Sequence, residues 1–184
     1  VVGVNGDQST NDTVLRRANG TGGGAVTEGG VDSAGVFQDA LTYVCTNLGK
    51  ELTRDGEGAQ RLVEVVVDGA RTDADARVAA REVASSSLVK AMVHGQDPNW
   101  GRIMMALGKS GIEFNELEVD VFIGGIHLVH QGVAIPYLKD AVVSAMSVPE
   151  LEIRVDVHAG DAAATAWGCD LTEDYVTFNS AYST

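Results

Sequence analysis

The sequence predicts an α+β domain in which an antiparallel or mixed sheet is packed by helices. Three observations carry that prediction. Apolar residues recur at three- and four-residue spacing from Phe37 to Leu52, the period of a helix with one buried face. Leu62 to Val67 (LVEVVV) is a β-branched run, the composition of a strand. Glu118 to Gly124 (EVDVFIG) and Leu151 to Val157 (LEIRVDV) alternate apolar and polar residues, as half-buried strands do.

In chain order, Val1-Val2-Gly3-Val4 reads as a strand with no lead-in. Asp7 to Asp12 (DQSTND) is dense in capping and turn residues, and Thr13 to Ala18 is a short helix candidate. Asn19 to Gly30 (NGTGGGAVTEGG) lacks the Lys-Ser/Thr ending and the strand–loop–helix frame of a phosphate-cradling loop. It reads as a mobile surface loop. Ser33 then caps the long helix, whose stripe of Phe37, Leu41, Val44, Leu48 and Leu52 is widened by Val36, Ala40 and Cys45. The segment Arg54 to Ala59 (RDGEGA) ends it, with Gly56 placed for a left-handed C′ position.

A second long helix is expected from about Asp73 to Val93. Thr72 and Asp75 open it as a capping box, and Val78, Val83, Leu88, Val89 and Met92 form its apolar face. Gly95 to Gly101 (GQDPNWG) is a loop of unusual definition, because Pro98 fixes its own φ and pushes Asp97 out of the α region. A helix from Arg102 to Leu107 follows at once. Gly132 to Ile135 is a short strand, Lys139 to Met146 a short helix, and Asp174 to Phe178 (DYVTF) the last strand. A modest boundary near residue 60 divides the chain into residues 1–60 and 61–184.

The 184 residues carry 13 basic and 26 acidic side chains, a formal net charge of −13. A nucleic-acid binder needs basic clusters to release counterions, and the longest basic run is Arg16-Arg17, so that class is disfavoured. No apolar run approaches a membrane span, and no charged-then-apolar leader opens the chain. Cys45 and Cys169 are the only cysteines. Cys45 lies on the striped helix face and is expected to be a small buried hydrophobe, in a reducing, intracellular compartment. His94, His127, His130 and His158 lack any tight Cys/His/Asp spacing, so no metal site and no resident cofactor are expected.

Three segments offer chemistry. Glu57 stands between Gly56 and Gly58, so a ligand ammonium could approach its carboxylate closely; the alternative is an exposed glutamate in a connection. The tail Phe178-Asn179-Ser180-Ala181-Tyr182-Ser183-Thr184 offers an amide, hydroxyls and a terminal carboxylate for a small zwitterion if its aromatic residues pack back; otherwise it frays. In Gly95 to Arg102, Arg102 and Trp100 are ligand-contacting types, but the structural reading is preferred, with Arg102 bonding loop carbonyls and Trp100 plugging the core. No Ser/His/Asp set or G-x-S-x-G motif stands out.

RDGEGA (Arg54 to Ala59), DPNWGRI (Asp97 to Ile103) and ATAWGCDLTEDYVTFNSAYST (Ala164 to Thr184) together resemble the β chain of ornithine acetyltransferase, the glutamate N-acetyltransferase of cyclic arginine synthesis. GDQSTNDT (Gly6 to Thr13) resembles that family's DGD-T-STND segment, so the likeness covers essentially the whole chain. It implies an N-terminal-nucleophile-like layered α/β sandwich lobe, of which residues 1–60 form part, followed by a smaller mixed α/β lobe at 61–184. It implies a precursor that cleaves itself before a threonine, an α-chain partner in an α2β2 heterotetramer, and a cytoplasmic enzyme (organellar if eukaryotic). The new N-terminal threonine attacks the acetyl carbonyl of N-acetylornithine, and glutamate then takes the acetyl group. Glu57, Asn179 and Thr184 match the substrate-binding positions. The threonine is expected upstream of Val1, so no catalytic nucleophile falls in these residues and the chain alone is expected to be inactive. Acetyl-CoA as a co-substrate is left open. The alternatives are an N-terminal-nucleophile amidase or aminopeptidase, and a non-catalytic fragment.

Overall fold

A computed structural model of the chain describes residues 13–17, 19–21 and 30–181, with residues 30–33 by backbone alone. The expected strand at Val1–Val4, the capping segment Asp7–Asp12, most of the glycine-rich segment and the tail residues Tyr182 to Thr184 lie outside the described residues. Thr13 to Arg17 form no regular structure, so the short helix expected there is not found in them.

Among the described residues one mixed six-stranded sheet runs in the order β4-β3-β2-β5-β1-β6. Its strands are β1 (Leu62–Ala70), β2 (Asp120–Ile123), β3 (Ile126–His130), β4 (Val133–Ala134), β5 (Glu150–Asp156) and β6 (Ala162–Cys169). β1 and β5 are parallel, and every other pairing is antiparallel. Six α-helices accompany it: α1 (Gly30–Arg54), α2 (Asp73–Ser85), α3 (Ser87–His94), α4 (Trp100–Lys109), α5 (Lys139–Met146) and α6 (Glu173–Ala181). This is the mixed α/β class that the sequence predicts.

The core lies between one face of the sheet and α2 to α4. Val63, Val65 and Val67 of β1 and Leu151, Ile153 and Val155 of β5 alternate into it, against Val83, Val89, Met92, Ile103 and Leu107 of the helices. α2 meets the sheet through Ala76, Ala79, Ala80 and Ala84 rather than through large side chains, and Val78 and Leu88 are half exposed. This close seat requires Gly168 on β6, where a Cβ would lie 2.7 Å from the Ala84 carbonyl oxygen.

Several expected elements are corrected. The single helix from Asp73 to Val93 is two helices. Ser86 leaves the helix at φ −63°, ψ 118° and accepts the Val89 N–H at 3.4 Å, so it caps a new one. The cap at Thr72 holds: Thr72 Oγ1 accepts the Asp75 N–H at 3.1 Å and donates to Asp75 Oδ2 at 2.9 Å. β3 follows β2 through Gly124 and Gly125, both at positive φ, a two-residue hairpin turn that the reading of EVDVFIG stops short of. β6 is alanine-rich and carries little β signal.

The segment DYVTF is not a strand but the body of α6. Thr172 Oγ1 accepts the Tyr175 N–H at 3.3 Å, and Glu173 and Asp174 suit the positive end of the helix dipole. α6 buries no residue, so nothing selects a β face there. α1 begins at Gly30, three residues before the expected cap at Ser33.

The largest correction concerns α1. Its stripe faces outward: Phe37, Val44, Leu48 and Leu52 are exposed, the last two by 60% and 58%, and Cys45 is an exposed free thiol. What ties α1 to the sheet is polar. Glu64 points to the sheet face opposite Val63 and Val65, where Lys50 Nζ lies 2.8 Å from Glu64 Oε2 and Trp167 Nε1 donates to the same oxygen at 2.7 Å. The Lys50 ammonium also sits 5.3 Å from the Trp167 ring centroid. Burial raises the Glu64 pKa, but the Lys50 and Trp167 hydrogen bonds together hold it below the usual value. No described helix is long and apolar enough to cross a membrane.

Candidate active site

Three sequence segments meet at the amino end of β1. The chain leaves α1 through a tight turn in which Ala59 N–H donates to the Gly56 carbonyl at 2.9 Å. The left-handed residue of this turn is Gly58, at φ +68°, and not Gly56 as the sequence suggests. Gly58 is also in tight contact: a Cβ there would lie 2.8 Å from both Thr172 Oγ1 and the Tyr175 backbone nitrogen. The first turn of α6 therefore rests directly on this glycine.

Polar bonds suture the two segments. Thr172 Oγ1 donates to the Gly58 carbonyl at 2.8 Å. Asp170, whose carboxylate is fully buried, accepts the Gln60 and Arg61 N–H groups on Oδ1 at 2.8 and 3.0 Å. Its other oxygen faces Arg61 Nη1 and His94 Nδ1, each at 3.5 Å. His94 in turn reaches Glu173 Oε2 at 2.8 Å. Lys90 of α3 is buried with its Nζ 3.5 Å from Cys169 Sγ. Burial pushes the Cys169 thiol up, against the pull of the Lys90 ammonium, which makes it an inert packing residue.

On this frame Glu57 and Asn179, 122 positions apart, touch. Asn179 Nδ2 donates to Glu57 Oε2 at 2.6 Å and to the Tyr175 carbonyl at 2.9 Å. Both side chains are exposed, so a carboxylate and an amide stand together at the surface. An amide donor locks the carboxylate in place and leaves its second oxygen to a cation; the arrangement suits an ammonium group. The third expected position, Thr184, lies outside the described residues. Phe178 is exposed, so α6 is held by its first turn and not by that aromatic anchor.

The loop after α3 serves the frame from behind. Arg102 Nη1 donates at 3.2 Å to the carbonyl of Leu88 in α3 and not to a loop carbonyl as expected, whereas Trp100 packs against the core, as the sequence suggests. Gln96 turns the chain at φ 51°. Asp170 and Thr172 are the site-shaping residues that sequence reasoning passes over, although both stand in the AWGCDLT segment; a buried carboxylate gives no local signal.

The ArgJ family model matches residues 1–184. Among curated proteins, the arginine biosynthesis bifunctional protein ArgJ of Symbiobacterium thermophilum is 46% identical over 184 residues, 100% of this chain and 46% of that protein. The ArgJ of Thermus thermophilus is 43% identical over 183 residues, again 100% of this chain and 46% of its own length. The chain thus spans about half the length of the curated relatives it matches. The crystal structure of the arginine biosynthesis bifunctional protein ArgJ from Bacillus halodurans superposes with a TM-score of 0.93 at 39% identity, covering 98% of this chain and 85% of that one. A match from the first residue to the last, together with this shared fold, means that the chain belongs to the ArgJ family.

Proposed function

We propose that this chain is the β half of an acetyltransferase that moves acetyl from N-acetylornithine to glutamate through an acetyl-threonine intermediate. The observation that carries the proposal is the Glu57–Asn179 pair, an exposed carboxylate anchored by an amide. N-acetylornithine has its α-amine blocked, so its remaining cation is the side-chain ammonium. Glu57 binds that ammonium, Asn179 orients the carboxylate, and Thr184 completes the substrate contacts from the tail.

The nucleophile is an N-terminal threonine outside these 184 residues. Its hydroxyl attacks the acetyl carbonyl, and its own α-amine takes the hydroxyl proton. The tetrahedral intermediate collapses as the C–N bond breaks and the proton passes to the leaving amine, releasing ornithine and leaving an acetyl ester. The amine of glutamate attacks that ester, gives up its proton through the threonine α-amine to the departing threonine oxygen, and leaves as N-acetylglutamate, restoring the hydroxyl. The α chain supplies the oxyanion donors. No resident cofactor is required, and acetyl-CoA is a candidate alternative donor.

Two observations support a divided enzyme. The curated relatives are about twice as long as this chain, whereas the Bacillus halodurans chain is only slightly longer than it. The outward stripe of α1 is also an apolar face of the kind that protein partners cover. We assign it to the α chain, within an α2β2 assembly formed by self-cleavage of one cytoplasmic precursor. Residues 1–60 then belong to the acyltransferase core lobe and 61–184 to the C-terminal lobe.

The test is to incubate the full assembled protein with N-acetylornithine and glutamate. Ornithine and N-acetylglutamate should form in equal amounts. Acetate released at the same rate without glutamate would replace the transferase by an amidase, and no product of either kind would overturn the proposal.

A further inference from the structure

A second cluster lies at the other end of the sheet. β1 and β5 run parallel from the Glu57 end, and Asp120, the first residue of β2, pairs with Asp156, the last of β5. The length of β5, at about 3.3 Å per residue, separates the two places. The Asp120 carboxylate is only 12% exposed, and three imidazoles surround it. His130 Nδ1 is 3.0 Å from Oδ1, His127 Nε2 is 3.7 Å from the same oxygen, and His158 Nε2 is 3.1 Å from Oδ2.

The backbone is bent to bring these rings together. Residues three apart on a regular strand face opposite sides. Here the register slips between Val121↔Val129 and Phe122↔His127, so Leu128 is an extra residue on β3. This bulge turns His127 and His130 towards the same carboxylate. Gln131 and His158 both hold left-handed φ, at 49° and 47°, which side chains other than glycine seldom adopt. The Gln131 N–H donates to Asp120 Oδ1 at 2.8 Å. The His127 ring is stacked on Phe122, with centroids 4.2 Å apart and planes at 17°.

A hydrogen-bond network does not account for the cluster. Asp120 Oδ1 is taken by Gln131 and His130, and Oδ2 by His158. His127 Nε2 is buried, aimed at the group, and has no hydrogen bond. The donor atoms of Asp120, His127 and His130 all lie within 4.8 Å of one another. Donors in a tetrahedron at about 2.0–2.1 Å from a zinc ion stand about 3.4 Å apart, and the His130 and His127 nitrogens lie 3.0 and 3.7 Å from Asp120 Oδ1.

We propose that Asp120, His127 and His130 bind a divalent metal ion of the zinc class, with the fourth position left to a water molecule. Imidazoles with one carboxylate suit zinc and its neighbours rather than calcium or magnesium. The ion would clamp the two strands of the β2–β3 hairpin together, far from Glu57, and takes no part in acetyl transfer.

The test uses the assembled protein, stripped with chelator, desalted and titrated with zinc chloride in a calorimeter and with cobalt chloride in a spectrophotometer. One zinc per chain should bind, cobalt should give the intense visible bands of a tetrahedral site, and zinc should raise the melting temperature. The double variant His127→Ala/His130→Ala should weaken zinc binding by more than the roughly 10–100-fold that losing an outer partner costs. His127→Gln, which keeps much of the ring's volume, checks the same point should the double variant fail to fold. Absence of stoichiometric zinc, an octahedral cobalt spectrum, or unchanged affinity in His127→Gln would each overturn the site.

Discussion

Gly58→Ala probes whether the first turn of α6 is seated on the Glu57 turn as described. At φ +68°, a side chain costs about 1–2 kcal/mol in backbone strain. The added Cβ would also lie 2.8 Å from Thr172 Oγ1 and from the Tyr175 nitrogen, and 2.9 Å from Asp174 Cβ. Two of those neighbours are fixed by backbone, so the overpacking adds about 1–3 kcal/mol. The sum, about 2–5 kcal/mol, is separated into its parts by Gly111→Ala. Gly111 has φ +75° with nothing within 4 Å of its Cβ position, so it bears only the first cost. Urea unfolding of the assembled protein measures both. In Gly58→Ala the displaced α6 should also loosen Asn179 from Glu57 and raise KM for N-acetylornithine. Equal destabilisation by the two alanines, with KM unchanged, would refute the seating.

Asp170→Ala removes the acceptor of two backbone N–H groups and the counter-charge facing Arg61. It should cost about 3–5 kcal/mol in urea unfolding, where a surface carboxylate would cost almost nothing. Glu64 is held below its unfolded pKa, so its contribution is present above about pH 4.3 and lost as pH falls through the depressed value. Glu64→Gln should therefore flatten the acid limb of the stability profile, and an unaltered limb would contradict the Lys50–Glu64–Trp167 tie. Leu48→Asp/Leu52→Asp should leave the circular dichroism spectrum of the chain intact. It should abolish co-elution with the α chain in size-exclusion chromatography, because both residues already face outward.

What was legible in the sequence follows from how local each signal is. The α1 stripe announces a helix correctly, because period alone decides that. It does not say which protein surface covers the stripe, and the inference that Cys45 is buried fails for that reason. The β-branched Val176 and Thr177 suggest a strand, yet Thr172 and two following acids cap a helix that no packing opposes. β6 is hidden by alanine, and Ser86 breaks a helix that its apolar period would continue. At the candidate site, glycines flanking a carboxylate mark Glu57, and an unusual tail marks Asn179. Their 2.6 Å contact depends on Asp170 and Thr172 closing 110 residues of chain, which no spacing encodes. The imidazoles around Asp120 are similarly invisible, since a bulge and two left-handed residues assemble them.

The central claim is that Glu57 binds the ammonium of the acetyl donor. Its most direct measurement is the steady-state kinetics of Glu57→Ala in the assembled protein, with N-acetylornithine and glutamate varied separately. A charge-assisted contact of about 1.5–3 kcal/mol predicts a KM for N-acetylornithine raised about tenfold to a hundredfold, with kcat for the acetylated enzyme's reaction with glutamate nearly unchanged. A KM for N-acetylornithine equal to that of the unaltered protein would contradict it.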